Sequence, residues 1–225
     1  MSIHLQRDLD ALQNKMLTMC SLVAEVVHEG VAALDRPDIE HTEQLIQHDD
    51  DIDACDVSIE DSCLKILALH QPVAADLRRI ATAMKIGGEL ERIADLGVNI
   101  AERAAALVKL PVMTVSPKLS NMSHLAMLMV DDALAAYVNM DVTSARQICA
   151  RDCEVDELNR QIIAELTQIM QKEPELVPPA MHLFSACRHI ERIGDHATNI
   201  AEDVIYLVEG DIVRHQRENL RRATA

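Results

Sequence analysis

Glu91-Arg-Ile-Ala-Asp-Leu-Gly-Val-Asn-Ile-Ala-Glu102 returns one hundred residues later as Glu191-Arg-Ile-Gly-Asp-His-Ala-Thr-Asn-Ile-Ala-Glu202, with eight of twelve positions identical. Agreement at that level marks an internal duplication. A second register, offset by 103, pairs Asp38 with Asp141, Asp49 with Asp152 and Asp53 with Asp156. The two halves are therefore related along their length. The expected organisation is two repeats, residues 1–112 and 113–225, joined near Pro111 to Pro117.

Prolines divide the chain at Pro37, Pro72, Pro111, Pro117, Pro174, Pro178 and Pro179. The segments between them carry apolar residues at helical spacing, and none alternates as a strand does. Ser116 before Pro117 reads as an N-cap followed by proline in the first helical position, and Arg36 with Pro37 reads as another start after Asp35. The spacing predicts six long helices over 3–34, 38–70, 73–109, 117–138, 141–172 and 178–217. Gly87 and Gly88, inside the third, predict a bend. The fold class is all-α, two tandem three-helix bundles.

With only Tyr137, Phe184 and Tyr206 aromatic, the core falls to aliphatic residues and the 11 methionines. The six cysteines, Cys20, Cys55, Cys63, Cys149, Cys153 and Cys187, read as reduced apolar filling. Cys149 and Cys153 sit one turn apart, but no second Cys or His pair completes a zinc pattern.

The formal charge is -16, from 21 Lys and Arg against 37 Asp and Glu. That balance excludes the basic footprint of a nucleic-acid binder. Arg7, Asp8 and Asp10 interrupt the N-terminus where a signal peptide needs an apolar run, and Leu125 to Val130 is far too short to cross a bilayer. A cytoplasmic location without membrane insertion is expected.

Acids four residues apart occur at corresponding points of the repeat: Asp49 with Asp53, Glu91 with Asp95, Asp152 with Asp156, and Glu191 with Asp195. Such pairs share a helix face and repel each other, so their repetition points to a compensating cation or to solvent. Projected at about 100° per residue, Glu91, Asp95, Asn99 and Glu102 fall within an arc of about 80°. Ile86, Leu90, Ile93, Leu96, Ile100 and Leu107 lie opposite. A solvated stripe is the plain reading. Identity of the acids in both halves favours metal binding. If the second and third helices of a half pack side by side, four carboxylates surround one site. Such oxygen donors suit Mg, Mn, Ca or Fe better than Zn, although His189 and His196 flank the second site and would tune it toward iron or zinc.

The paired motifs Glu91-Arg-Ile-Ala-Asp95 and Glu191-Arg-Ile-Gly-Asp195, with Pro72-Val-Ala-Ala-Asp-Leu-Arg78, resemble the PhoU family over nearly the whole chain. The resemblance implies two three-helix bundles, a homodimer or larger assembly, and metal clusters, often iron or zinc. Asp49, Asp53, Glu91, Asp95, Asp152, Asp156, Glu191 and Asp195 are then the ligands. It further implies a regulator that restrains the phosphate-starvation response through a phosphate ABC transporter and a sensor histidine kinase. The second half departs from the first at Pro178-Pro-Ala-Met-His-Leu-Phe184, which marks Asp76, Arg78 and Arg79 as a candidate asymmetric contact patch against the plainer reading of a helix-start ion-pair cluster.

Two other readings compete. A carboxylate-bridged di-metal enzyme requires two Glu-x-x-His motifs, and Glu25-Val-Val-His28 has no counterpart at the repeat offset. A helical adaptor would use the acidic stripe to bind a basic partner instead of a metal. No nucleophile stands beside a base, and the six glycines form no phosphate loop, so no catalytic function is expected.

Overall fold

The computed structural model describes residues 3–114 and 116–213. Six helices account for nearly all of them: α1 (Ile3–Ala32), α2 (Ile39–His70), α3 (Ala74–Leu107), α4 (Pro117–Asn139), α5 (Val142–Lys172) and α6 (Val177–Glu209). Helices α1, α2 and α3 pack into one bundle and α4, α5 and α6 into a second. The bundles meet chiefly through α3 against α6, with a smaller contact of α1 on α4.

Local chemistry sets most of the boundaries. Ser116 Oγ accepts from the Lys118 amide at 3.4 Å, with Pro117 next in line, as expected for the start of α4. Asp141 opens α5 by accepting from the amides of Thr143 at 2.9 Å and Ser144 at 3.2 Å. At α2 the capping oxygen belongs to Asp38, which takes the Glu40 amide at 2.9 Å, so the helix starts two residues beyond Pro37.

One expectation fails. The sixth helix does not run to 217: it ends at Glu209, because Gly210 adopts φ 87° and turns the chain left-handed. Residues 214–217 lie outside the described residues. Helix α3 continues unbroken through Gly87 and Gly88. Gly87 lies close to α2, where a Cβ would stand 2.9 Å from Asp56 Oδ1.

The core is aliphatic and sulfur-rich. Met16, Met19, Ile52, Ile59, Ile86, Leu90 and Ile93 are fully buried in the first bundle, and Met122, Met129, Ile190, Ile193 and Ile200 in the second. Burial pushes the thiols of Cys20 and Cys187 up to about 12 and that of Cys63 to about 11, so these groups stay protonated and behave as apolar filling. All six cysteines are free. Helix α1 approaches α3 with almost no side chain between the backbones: a Cβ on Gly30 would overlap the Gly97 carbonyl, and one on Gly97 would lie 3.0 Å from Val27 Cα.

Gly30→Ala is therefore expected to destabilise the protein by about 1–3 kcal/mol through overpacking at this crossing. Gly88→Ala, where an added Cβ meets nothing within 4 Å, should stabilise by up to about 1 kcal/mol through helix propensity. Urea unfolding followed by circular dichroism measures both.

Candidate functional site

The α3–α6 contact turns the acid-bearing side of α3 toward α2 and that of α6 toward α5. In the first bundle, Asp49 and Asp53 of α2 meet Glu91 and Asp95 of α3. Asp49 and Glu91 are half-buried, Asp53 and Asp95 exposed. Burial, followed by the charges of Asp95, Asp53, Glu91 and Asp50, pushes the Asp49 carboxyl up to about 6. Burial and the charge of Asp53 also raise Asp95, against the hydrogen bond it shares with Asp49. Glu91 is raised by burial, Asp95, Asp53 and Asp56. These directions describe carboxylates that crowd one another in a partly dry groove.

Asp56, half-buried and itself raised by burial and by Glu60 and Asp53, belongs to this cluster. Repeat matching misses it, because its counterpart at the 103 offset is Asn159. Helical spacing supplies the signal, since Asp56 follows Asp53 by three residues on the same face.

In the second bundle, Asp152 and Asp156 of α5 act on Glu191 together with Asp195 of α6. Here Asp152 is 2% exposed and the other three are half-buried. Arg188 reaches Glu191 Oε1 at 3.2 Å, while Glu191 Oε2 is buried without a hydrogen-bond partner. Burial dominates and holds the Glu191 carboxyl above its ordinary range despite Arg188. Arg188 stands where the first half has Gly88, so one cluster carries a cation that the other lacks.

The expected exposure of the acidic stripe holds only in the first half. Glu102 is exposed, whereas its repeat mate Glu202 is 5% exposed. The histidines also depart from expectation. His196 faces α3, where Nδ1 lies 2.7 Å from Glu89 Oε2, and Asn199 Nδ2 donates to the same oxygen at 3.0 Å. Burial raises Glu89, but hydrogen bonds from His196 and Asn199 and the charges of His196 and Arg92 outweigh it and leave this carboxyl below its usual range. His196 therefore ties the bundles together instead of flanking the α5–α6 acids. His189 also comes within reach of Arg103 of α3, and burial, that charge and Arg192 of its own helix lower its pKa.

Asp76, Arg78 and Arg79 are all half-buried near the start of α3. The Arg78 guanidinium occupies the space a side chain at Gly210 would take, linking the start of α3 to the end of α6. Arg79 lines a small cavity beside Leu9, Tyr137 and Leu207. His28, from the lone Glu-x-x-His motif, meets Asp131 of α4 at 3.0 Å across the bundles.

Carboxylate oxygens in this number fit a hard or borderline divalent cation, and the orphaned Glu191 Oε2 is a buried donor of the right type. Among the described residues, no three His, Cys, Asp or Glu side chains already converge on one ion. Loading either cluster would therefore require its carboxylates to rotate inward.

The PhoU domain family model matches residues 16–104 and again 119–204. The chain belongs to the PhoU family. It is 39% identical over 210 residues to the phosphate-specific transport system accessory protein PhoU homolog of Aquifex aeolicus, covering 93% of this chain and 95% of that protein. The homolog of Clostridium acetobutylicum is 34% identical over 206 residues, covering 91% and 94%. Among solved structures, PhoU from Pseudomonas aeruginosa superposes with a TM-score of 0.88 at 33% identity, covering 92% of this chain and 99% of that one. The phosphate transport system regulatory protein PhoU from Streptococcus pneumoniae gives 0.85 at 28% identity, with 93% and 99% covered. The expected all-helical PhoU architecture of six helices is thus what the chain adopts, and both acid clusters lie on its PhoU repeats.

Asp49 sets the pH dependence of the first cluster. Its folded-state pKa of about 6 lies above the ordinary 3.8, so the folded protein holds an extra proton between those values. That contribution to stability is present below about pH 4 and is lost as pH rises through about 6. In cation-free protein, Asp49→Asn should raise the melting temperature at neutral pH and flatten the fall between about pH 4 and 6, as read by thermal unfolding across a pH series.

Proposed function

We propose that this PhoU protein is a non-catalytic accessory regulator of phosphate uptake whose two acidic clusters bind divalent metal ions. The observation carrying the reading is family membership across both repeats, joined to eight carboxylates gathered at equivalent helix pairs. Relatives covering nearly their whole length are named as accessory proteins of a phosphate-specific transport system. The reading extends to contacts with a phosphate ABC transporter and with a sensor histidine kinase, restraint of the starvation response when phosphate is plentiful, a cytoplasmic location and a homodimer. No helix among the described residues is long and apolar enough to cross a membrane, so such contacts would be made at the partners' exposed surfaces.

In the clusters, Asp49, Asp53, Glu91 and Asp95 would hold one metal site, and Asp152, Asp156, Glu191 and Asp195 the other. Iron or zinc is the expected occupant, with magnesium or manganese equally compatible with oxygen donors. The cation would neutralise the repulsion that raises Asp49 and Glu91 and pull α2 toward α3 and α5 toward α6. The metal's role is thus to fix the groove surface that a partner meets. The lone Glu-x-x-His motif of the di-metal enzyme reading places His28 beside Asp131 at the bundle junction.

Elemental mass spectrometry of tag-free protein purified without chelators tests the metal assignment beside the variant E91A/D95A/E191A/D195A. Bound metal should be present in the parent and lost in the variant; equal, negligible metal in both returns the clusters to partner-binding surface. A phosphate-responsive reporter in cells lacking the chromosomal copy tests the regulatory assignment. The parent chain should restore repression in high phosphate, and failure to do so would remove the regulatory reading.

A further inference from the structure

Because α3 and α6 are related at the 100-residue offset, each position along their antiparallel seam has a counterpart at the seam's other end, although Leu96 and Ala106 replace His196 and Tyr206. At one end the charges balance. Lys85 Nζ lies 3.1 Å from Asp203 Oδ1 and 5.1 Å from the centre of the Tyr206 ring, and Glu89 receives His196 and Asn199. At the other end, Ser185 stands for Lys85 and Arg103 for Asp203, while His189 stands for Glu89 and Asn99 for Asn199. Both seam carboxylates have been exchanged for hydrogen-bond donors. Arg192, the mate of Arg92, keeps its charge.

The donors at that end are under-used. Arg103 and Arg192 both lie within electrostatic reach of His189. Ser185 Oγ is 3.1 Å from His189 Nε2. When that hydroxyl donates, the ring proton resides on Nδ1, and His189 Nδ1 is buried with no partner, as is Arg103 Nε. Glu102, on the solvent side, lies 3.5 Å from one outer nitrogen of Arg103 and does not reach Nε. Glu191 and Asp195 belong to the cluster facing α5. A chain of charge -16 has thus placed a guanidinium and an imidazole, Arg103 and His189, where its own repeat supplies acids, and has kept Arg192 beside them.

We propose that this end of the α3–α6 seam binds a small tetrahedral oxyanion of the phosphate class, held by Arg103, Arg192 and His189. The unpaired nitrogens are shielded from solvent, which favours a compact ion over a broad acidic protein surface. The anion takes the place of the carboxylates that hold the opposite end, and it bridges helices of different bundles. Its occupancy would tighten the joint between the repeats. The site is separate from the acidic clusters, and the inference stands whether or not they bind metal.

Isothermal titration calorimetry of chelator-treated full-length protein with inorganic phosphate at constant ionic strength, with the His189 ring resonances followed by NMR, tests the site. The expected result is saturable one-to-one binding that shifts those resonances. Arg103→Gln and Arg192→Gln should each weaken binding about tenfold, the scale of one charge-assisted hydrogen bond. Arg192 is exposed, so its variant keeps the test valid if the Arg103 variant fails to fold. Absence of saturable binding, an unchanged affinity in Arg192→Gln, or an equal response to chloride would each overturn the proposal.

Discussion

Everything distinctive about this protein depends on packing α3 directly against α6. These helices carry the duplicated Glu-Arg-Ile-x-Asp motif, and placing them back to back makes each the hub of its own three-helix bundle as well as half of the junction. Their surfaces must then serve three neighbours at once. One face of α3 meets α1, where Gly30 and Gly97 let the backbones approach closely. Another meets α2, and a third meets α6. The acid pairs fall on the side shared with α2 or α5, so the junction determines where the carboxylates can gather.

That arrangement makes the repeats unequal. Two copies of one motif cannot have identical surroundings when the residues supporting them have diverged. Asp49 is half-buried among acids whose charges raise its pKa, whereas its mate Asp152 is buried and its cluster includes Arg188. Glu102 is exposed and Glu202 is not. The seam follows the same logic: ion pairs of Lys85 and Glu89 close one end, while the other presents Arg103, His189 and Arg192. Duplication supplied symmetry of backbone, and later divergence used it to place opposite charge at equivalent positions.

Much of the fold was legible because its signals are local. Proline positions, the cap at Ser116 and the aliphatic period define helices through interactions spanning a few residues, and the repeat requires whatever one half does to be matched by the other. The gathering of Asp49 and Asp53 with Glu91 and Asp95 was legible for the same reason, since adjacent helices of a bundle bring corresponding faces together. Asp56 escaped the repeat pattern. The closeness of Gly87 to Asp56 on another helix is likewise contained in no local propensity. The end of α6 at Gly210 was a local signal overlooked.

The sequence by itself determined that this chain is a duplicated helical protein of the PhoU family with acids at matched positions, because helical periodicity and motif identity are properties of order along the chain. Only the tertiary structure decided which neighbours those residues meet. It turned His196 away from the α5–α6 acids and onto Glu89, set Arg78 against Gly210, and buried Asp152 where its mate Asp49 is half-buried. The physical reason is that burial and Coulomb interaction depend on distance in space, and the helix that supplies the partner lies about a hundred residues away along the chain, as Glu89 does from His196.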